Sequence, residues 1–212
     1  MEPYFQYLYD IPVSPDSSYS TINTEADWFF REKLVNRGSG TNFGIDLTLE
    51  RFLKDGFYYL VTASLFESKY VGGDGIERNT RYNSNYVVNL LLGKEWTLGG
   101  SENKFLGINA RLNMLGGQRV TPLDRATNLA QGYIVYDYSR TFEDQKPNII
   151  HLNGSITYRI NKKNHASIWS VQVLNILGAE ENYGYAYNYR TDQLEDYKAV
   201  VIVPSLSYEI EF

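Results

Sequence analysis

Apolar and polar residues alternate along this chain in runs of about a dozen, and the alternation recurs eight times. A period of two places alternate side chains on opposite faces of a β-strand. Strands are therefore expected at about 2–14, 42–53, 57–70, 86–98, 104–116, 148–160, 165–178 and 199–212. In the first, Phe5, Tyr7, Tyr9, Ile11 and Val13 share a face opposite Gln6 and Asp10. In the second, Phe43, Ile45, Leu47 and Leu49 oppose Asp46, Thr48 and Glu50. The last sets Val200, Ile202, Leu206, Tyr208, Ile210 and Phe212 against Ser205, Ser207, Glu209 and Glu211. The apolar face falls on odd positions in the first, second, third and seventh segments and on even positions in the others.

The connections sort by length. Those after the second, fourth and sixth segments hold about three to five residues, including the turn signal Asp55-Gly56. The others run from about 15 to 31. Short turns at one end and long loops at the other suit an outer-membrane barrel. A sandwich core would also bury Asp46, Glu50, Glu95, Arg111, Arg159, Glu209 and Glu211, at several kcal/mol each without partners. A hydrated lumen removes that cost. The expected fold is all-β: an antiparallel, up-and-down transmembrane β-barrel segment of about eight strands, with residues 1–212 as one unit.

Composition supports this in a few respects. Aromatic residues make up 15% of the chain, with 19 tyrosines, which suits strands and interfacial girdles. A net charge of −5 argues against a nucleic-acid partner, which needs a basic face. Cysteine is absent, so disulfides and thiolate chemistry are excluded. No apolar run reaches the length of a membrane helix, but barrel strands hide their apolar face in alternation. Met1 leads straight into Glu2, Pro3 and a strand pattern where an export signal would have charged and apolar regions. An exported protein is thus expected to have further sequence upstream.

Several stretches resemble the barrel of TonB-dependent receptors of the Bacteroidetes type. They are Tyr4–Tyr9, Gly44–Glu50, Tyr58–Phe66, Ser68-Lys69-Tyr70, Arg78–Asn83 and Gly93-Lys94-Glu95-Trp96. The resemblance spans nearly the whole chain and corresponds to the C-terminal part of such a receptor, about eight strands of a 22-stranded barrel. It implies outer-membrane location and nutrient uptake. The implied partners are outer-membrane lipid, the barrel-assembly machinery, the rest of the receptor (plug and upstream strands) and an unknown nutrient ligand. The family's plug and TonB box are not in this chain, so TonB is expected to act only through the missing N-terminal part. Leu206, Tyr208, Ile210 and the terminal Phe212 resemble the family's C-terminal assembly signal.

Candidate chemistry is sparse. His151 and His165 flank a basic turn but lack a third zinc ligand at standard spacing. Gly72-Gly73-Asp74-Gly75 hints at a calcium turn without the repeated ligands such sites need. No Gly-x-Ser-x-Gly elbow occurs, and Glu180-Glu181 and Asp192 with Glu195 read as solvated loop charges. The expectation is no catalytic residue, no metal and no cofactor, hence not an enzyme. The strongest candidates for ligand contact are Tyr183, Tyr185, Tyr187 and Tyr189, with Trp28 in the first long loop. Tyrosine offers a rigid apolar face plus a hydroxyl; a girdle or loop-packing role is the competing reading. Two other functions stay open: a complete small eight-stranded barrel with a structural or adhesion role, and a barrel hydrolase.

Overall fold

The computed structural model describes residues 1–24, 33–100 and 103–212. Strands occupy 64% and helices 6% of the chain, and every pairing is antiparallel, so the protein is all-β. The long strands are β1 (Glu2–Val13), β2 (Val35–Lys54), β3 (Phe57–Val71), β5 (Tyr86–Thr97), β6 (Lys104–Leu115), β9 (Ile149–Asn161), β10 (Ala166–Leu174) and β13 (Val203–Glu211). They form one sheet in the order β1-β2-β3-β5-β6-β9-β10-β13, with the short β4 (Glu77–Asn79) pairing β3. Sequential neighbours thus pair throughout. Among the described residues β1 and β13 are the outer strands, and the sheet does not close on itself.

The pairing register puts the expected apolar sets on one face. Ile45 lies opposite Leu65, Leu65 opposite Tyr86, Val61 opposite Leu90, Leu90 opposite Leu112, and Leu112 opposite Leu152. Ile108 pairs Ile156, Ile156 pairs Val171, and Val171 pairs Leu206. Directly opposed residues in an antiparallel sheet share a face, so the apolar surface is continuous across all eight long strands. An aromatic row closes it near the short turns: Trp96 faces Leu106, which faces Tyr158, then Trp169, then Tyr208. The Trp169 and Tyr208 ring centroids are 4.3 Å apart. Lys94, also on this face, carries its ammonium to the Asp55 carbonyl at the adjacent turn, 2.7 Å away.

Nothing among the described residues covers this face. Leu47, Leu49, Leu65, Ile108, Ile156, Val171 and Leu206 are all exposed, and among the described residues the only buried hydrophobic ones are Val13, Tyr70 and Ala166. Each Leu or Ile left in water forgoes about 1.5–3 kcal/mol of burial. An apolar surface of this extent therefore calls for an apolar environment from outside the chain.

The opposite face is polar and hydrogen-bonded across strands. Asn113 donates to Asn89, which donates to Thr62 at 3.2 Å. Tyr58 donates to Asn109, which donates to Ser155 at 3.3 Å. Thr157 bonds Ser170 at 3.3 Å, and Arg159 pairs with Glu211 at 2.8 Å. The Tyr58 side chain lies over Gly93, where any Cβ would collide with its ring and hydroxyl. A glycine opposite an aromatic lets the ring lie flat on the sheet.

Three expectations need correction. A register shift after Leu8, with Asp10 at φ 55°, pairs Ile11 with Gly38 on the polar face, so Ile11 leaves the outward set. Val13 goes with it, packing its Cγ1 against Gly38, and is fully buried. A β-bulge inserts one residue and exchanges the two faces beyond it. The segment expected at 165–178 ends at Leu174, because Asn175 takes a left-handed φ of 53°. Its side-chain Nδ2 donates to the carbonyls of Ala179 and Val201, at 3.0 and 3.1 Å. That grip breaks the expected strand 199–212 at Val201–Ile202. Val200 falls instead in a separate hairpin of β11 (Glu180–Asn188) and β12 (Gln193–Val200).

Candidate binding site in the loop cap

All the long connections leave the same end of the sheet, and most of the fully buried side chains are there. Tyr70, Thr80, Asn83, Asn128 and Val13 are the largest with less than 2% exposure. Four of these are polar or carry a hydroxyl, so the cap is organised by hydrogen bonds, which must be satisfied when buried.

The framework comes from the segments Ser68-Lys69-Tyr70 and Arg78–Asn83, which lie side by side. Asn83 is the hub. Its Oδ1 accepts from the Ser68 amide at 3.1 Å, and its Nδ2 donates to Asn79 Oδ1 at 2.9 Å and Glu67 Oε2 at 3.2 Å. Its carbonyl accepts from Arg119 Nε at 3.2 Å. Thr80 donates to Ser68 Oγ, which donates to Asn42, at 2.8 and 2.6 Å. Tyr70 sends its hydroxyl to the Ser18 carbonyl, 2.8 Å away, tying β3 to the first loop.

Arg78 forms a two-pronged pair with Asp74, at 3.0 and 2.8 Å. Both carboxylate oxygens of the Gly72–Gly75 turn are therefore engaged by an internal guanidinium. Hydrogen bonds from Arg78 hold the Asp74 carboxyl below the usual carboxylate range, with partial burial opposing them. A carboxyl depressed in the folded state stabilises it above its unfolded value of about 4 and loses that contribution as pH falls through the folded value. Acidification below about pH 4 is thus expected to lower the protection of the Gly72–Gly75 amides, read as exchange relative to the intrinsic rate at each pH. Asp74→Asn should remove this pH dependence while raising the exchange rate at neutral pH.

The third loop folds on itself. Asp124 caps helix α1 (Arg125–Gln131), accepting from the Thr127 amide at 3.1 Å and from the Thr127 hydroxyl at 2.5 Å. These bonds lower its pKa. Asn128, fully buried, bridges Asp124 and Val135. Short strands β7 (Arg119–Val120) and β8 (Asp144–Gln145) close the loop's base.

Between the first, second and third loops lies a cavity of about 390 Å³. Its described lining includes Ser18, Ser20, Asn23, Arg81, Tyr138, Thr141 and Phe142. The walls are tied together: Thr141 donates to Ser18 Oγ at 2.8 Å, and the Arg81 amide donates to Asn23 Oδ1 at 3.0 Å. Ser20 Oγ and Asn23 Nδ2 are buried here with no hydrogen-bond partner among the described residues. Sequence reasoning passed over this site. Its residues are scattered polar loop positions, and only the resemblance of Arg78–Asn83 drew attention to that segment.

The tyrosines singled out from the sequence are only partly brought together. A register shift between Asn182 and Gly184 leaves Tyr183 on one side, 5.9 Å from Tyr197, with its hydroxyl donating to Glu181 at 2.9 Å. Tyr185 and Tyr187 face the other side with their partners Asp196 and Leu194. Tyr187 meets Tyr189 edge to face at 5.2 Å, and Tyr189 is 79% exposed. Trp28 lies outside the described residues. Lys146 ties the hairpin to the third loop through the Asn182 carbonyl, at 3.2 Å.

The remaining candidates are placed apart. His151 pairs with Asn113 in the sheet and approaches Glu181 at 3.2 Å. His165 sits at the opposite end of the sheet, its ring 6.3 Å from Phe212. Glu195 accepts from Asn188 at 2.8 Å, a cross-hairpin contact. Leu206, Tyr208 and Ile210 lie on the apolar face opposite Val171, Trp169 and Ser167. Phe212 is fully exposed beyond the end of β13.

The fold thus defines an all-β protein with an uncovered apolar face and a polar loop cap enclosing a cavity. Comparisons with protein-family models, with curated proteins and with solved structures find no match for the chain.

Proposed function

We propose that this chain is wall and loop cap of an outer-membrane barrel, and that it forms the C-terminal part of a TonB-dependent nutrient-uptake receptor. The observation carrying the membrane reading is the uncovered apolar face, continuous in register across eight strands and bounded by the Trp96–Tyr208 aromatic row. Tyr86 and Trp96 stand ten residues apart on that face. At about 3.3 Å per residue and a tilt of about 40°, the interval is about 25 Å high, the usual height of a barrel's apolar band. The polar ladders of the opposite face suit a hydrated lumen, and the aromatic row suits a membrane interface.

The receptor assignment rests on the resemblance and on the open sheet edges. Unpaired backbone in hydrocarbon costs several kcal/mol per group, so spanning sheets must close. In a complete eight-stranded barrel β1 would pair β13, and these lie at opposite ends of the sheet. Upstream strands of the same receptor would supply the closure, and the loop cap would face the nutrient. Its plug and TonB would be engaged through sequence outside this chain.

The test uses the absence of native cysteine. Single cysteines at Leu90, Leu112 or Ile156 in membranes from the native host should resist a water-soluble maleimide, whereas those at Asn89, Asn113 or Thr157 should react. Equal labelling on both faces would defeat the membrane reading. Phe212 supplies a second expectation. Its ring buries nothing, so deleting it should leave the thermal midpoint of folded protein unchanged while lowering the yield in the outer membrane several-fold. Equal membrane yield would remove it from the assembly signal.

A further inference from the structure

A second cleft, of about 290 Å³, lies where the β11–β12 hairpin meets the base of the third loop. The loop and the start of β9 contribute Lys146, Pro147, Asn148 and Ile149, and the hairpin contributes Glu180 and Lys198. Glu180 pairs Val200 and Asn182 pairs Lys198, so their side chains share one side of the hairpin. Lys146 joins the two walls, donating to the Asn182 carbonyl at 3.2 Å. An ammonium bonded to a neutral carbonyl keeps its charge and its remaining donors. Asn148 accepts from the Gly117 amide through Oδ1 at 3.3 Å, which leaves its Nδ2 uncommitted among the described residues. Glu180 carries the opposite charge and has no hydrogen bond or ion pair among the described residues. Lys198 approaches Asp196 at 3.6 Å, but both side chains are more than 40% exposed, and such a pair is weak in water.

We propose that this cleft binds a small zwitterion, an α-amino acid with an apolar side chain. The inference names a ligand class for the proposed receptor's loop cap and rests on that reading only for its biological role. Lys146 bonds the Asn182 carbonyl and Lys198 is Asn182's cross-strand partner, so both ammoniums belong to the Asn182 end of the cleft. With the Asn148 amide they suit a carboxylate. Glu180 stands two residues along the strand from Asn182, about 7 Å away, and suits an ammonium. The two charged groups of an α-amino acid, with a hydrogen bond of about 2.8 Å at each end, span about that interval. A simple anion would meet Glu180 and a simple cation would meet the lysines, so the cleft discriminates against both. Pro147 and Ile149 supply apolar wall for the guest's side chain. The volume lies just below the range for drug-sized ligands, as a small guest requires. Because Lys146 already joins loop and hairpin, the guest meets a preorganised cleft.

The test is calorimetric titration of detergent-extracted, full-length protein with L-leucine, N-acetyl-L-leucine and L-leucinamide. The first is a zwitterion, the second lacks the ammonium and the third lacks the carboxylate. Saturable leucine binding at least tenfold tighter than that of either analogue is expected. Glu180→Gln should weaken leucine at least tenfold without weakening N-acetyl-leucine, which offers Glu180 no cation. Lys198→Gln should weaken leucine several-fold without weakening leucinamide. Both positions are exposed, so both variants should keep the parent's thermal midpoint. Absence of saturable leucine binding by folded protein would overturn the proposal. So would an analogue that binds as tightly as leucine, or a Glu180→Gln protein that binds leucine like the parent. Leucine binding with equal cysteine labelling of both sheet faces would keep the cleft and reject the membrane reading; the converse pattern would reject the cleft alone.

Discussion

Arginine at Leu90 is expected to destabilise the membrane-inserted protein by about 2–4 kcal/mol, whereas arginine at the adjacent Asn89 should be nearly neutral. Leu90 lies midway between Tyr86 and the aromatic row, opposite Val61 and Leu112 on the apolar face. In the proposed bilayer a guanidinium there has no water within reach, and its snorkelling distance is greatest. Asn89 points to the polar face, bonded to Thr62 and Asn113, where an arginine would meet the proposed hydrated lumen. Ile156→Arg and Thr157→Arg form a second pair on β9 with the same expected contrast. Reversible urea unfolding into lipid vesicles would measure all four. A similar cost at both positions of each pair would mean that the two faces share one environment.

Asn83→Leu is expected to have the largest effect outside the sheet. Leucine nearly matches asparagine in length but would leave the Ser68 amide without its acceptor, and Asn79 and Glu67 without their shared donor. Buried groups stripped of a partner cost about 1–3 kcal/mol each, more when charged, and Asn83 is fully buried. The cap should loosen while the strands persist. Proteolysis within residues 72–85 should accelerate at least tenfold, with little change in far-ultraviolet circular dichroism. Asn83→Asp is the milder comparison: it still accepts from Ser68 but sets a second carboxylate against Glu67. If Asn83→Leu resists proteolysis like the parent, the hub does not hold the cap.

Several structural features were legible from local pattern. The alternation in 42–51, 57–70, 86–98 and 104–116 assigns each residue to a face, and the observed register joins those faces, with one shift between Arg51 and Lys54 beside the turn. The short connections, including Asp55-Gly56, were legible because tight turns have specific chemistry. Their lengths also foretold which end would carry the loops. The importance of Ser68-Lys69-Tyr70 and Arg78–Asn83 was visible only as resemblance. Its reason, an interlocked set of bonds around Asn83, emerges once the two segments lie side by side.

What can be read from the chain alone is periodic, because a side chain's face depends on its own position in a strand. The apolar face, the polar ladders and the sorted loops all follow from that rule. Where one residue is inserted or a side chain captures distant backbone, the rule fails. The bulge at Asp10 turned Ile11 and Val13 inward, and Asn175 reached Val201 to divide the last expected strand. The cavity belongs to the same category. Asn23 and Arg81 are 58 positions apart and Ser18 and Thr141 are 123 apart, and hydrogen bonds between such residues leave no period in the sequence. Their geometry arises only when strand pairing brings the loop bases together, so the sheet was legible locally while the cavity above it was decided by long-range packing.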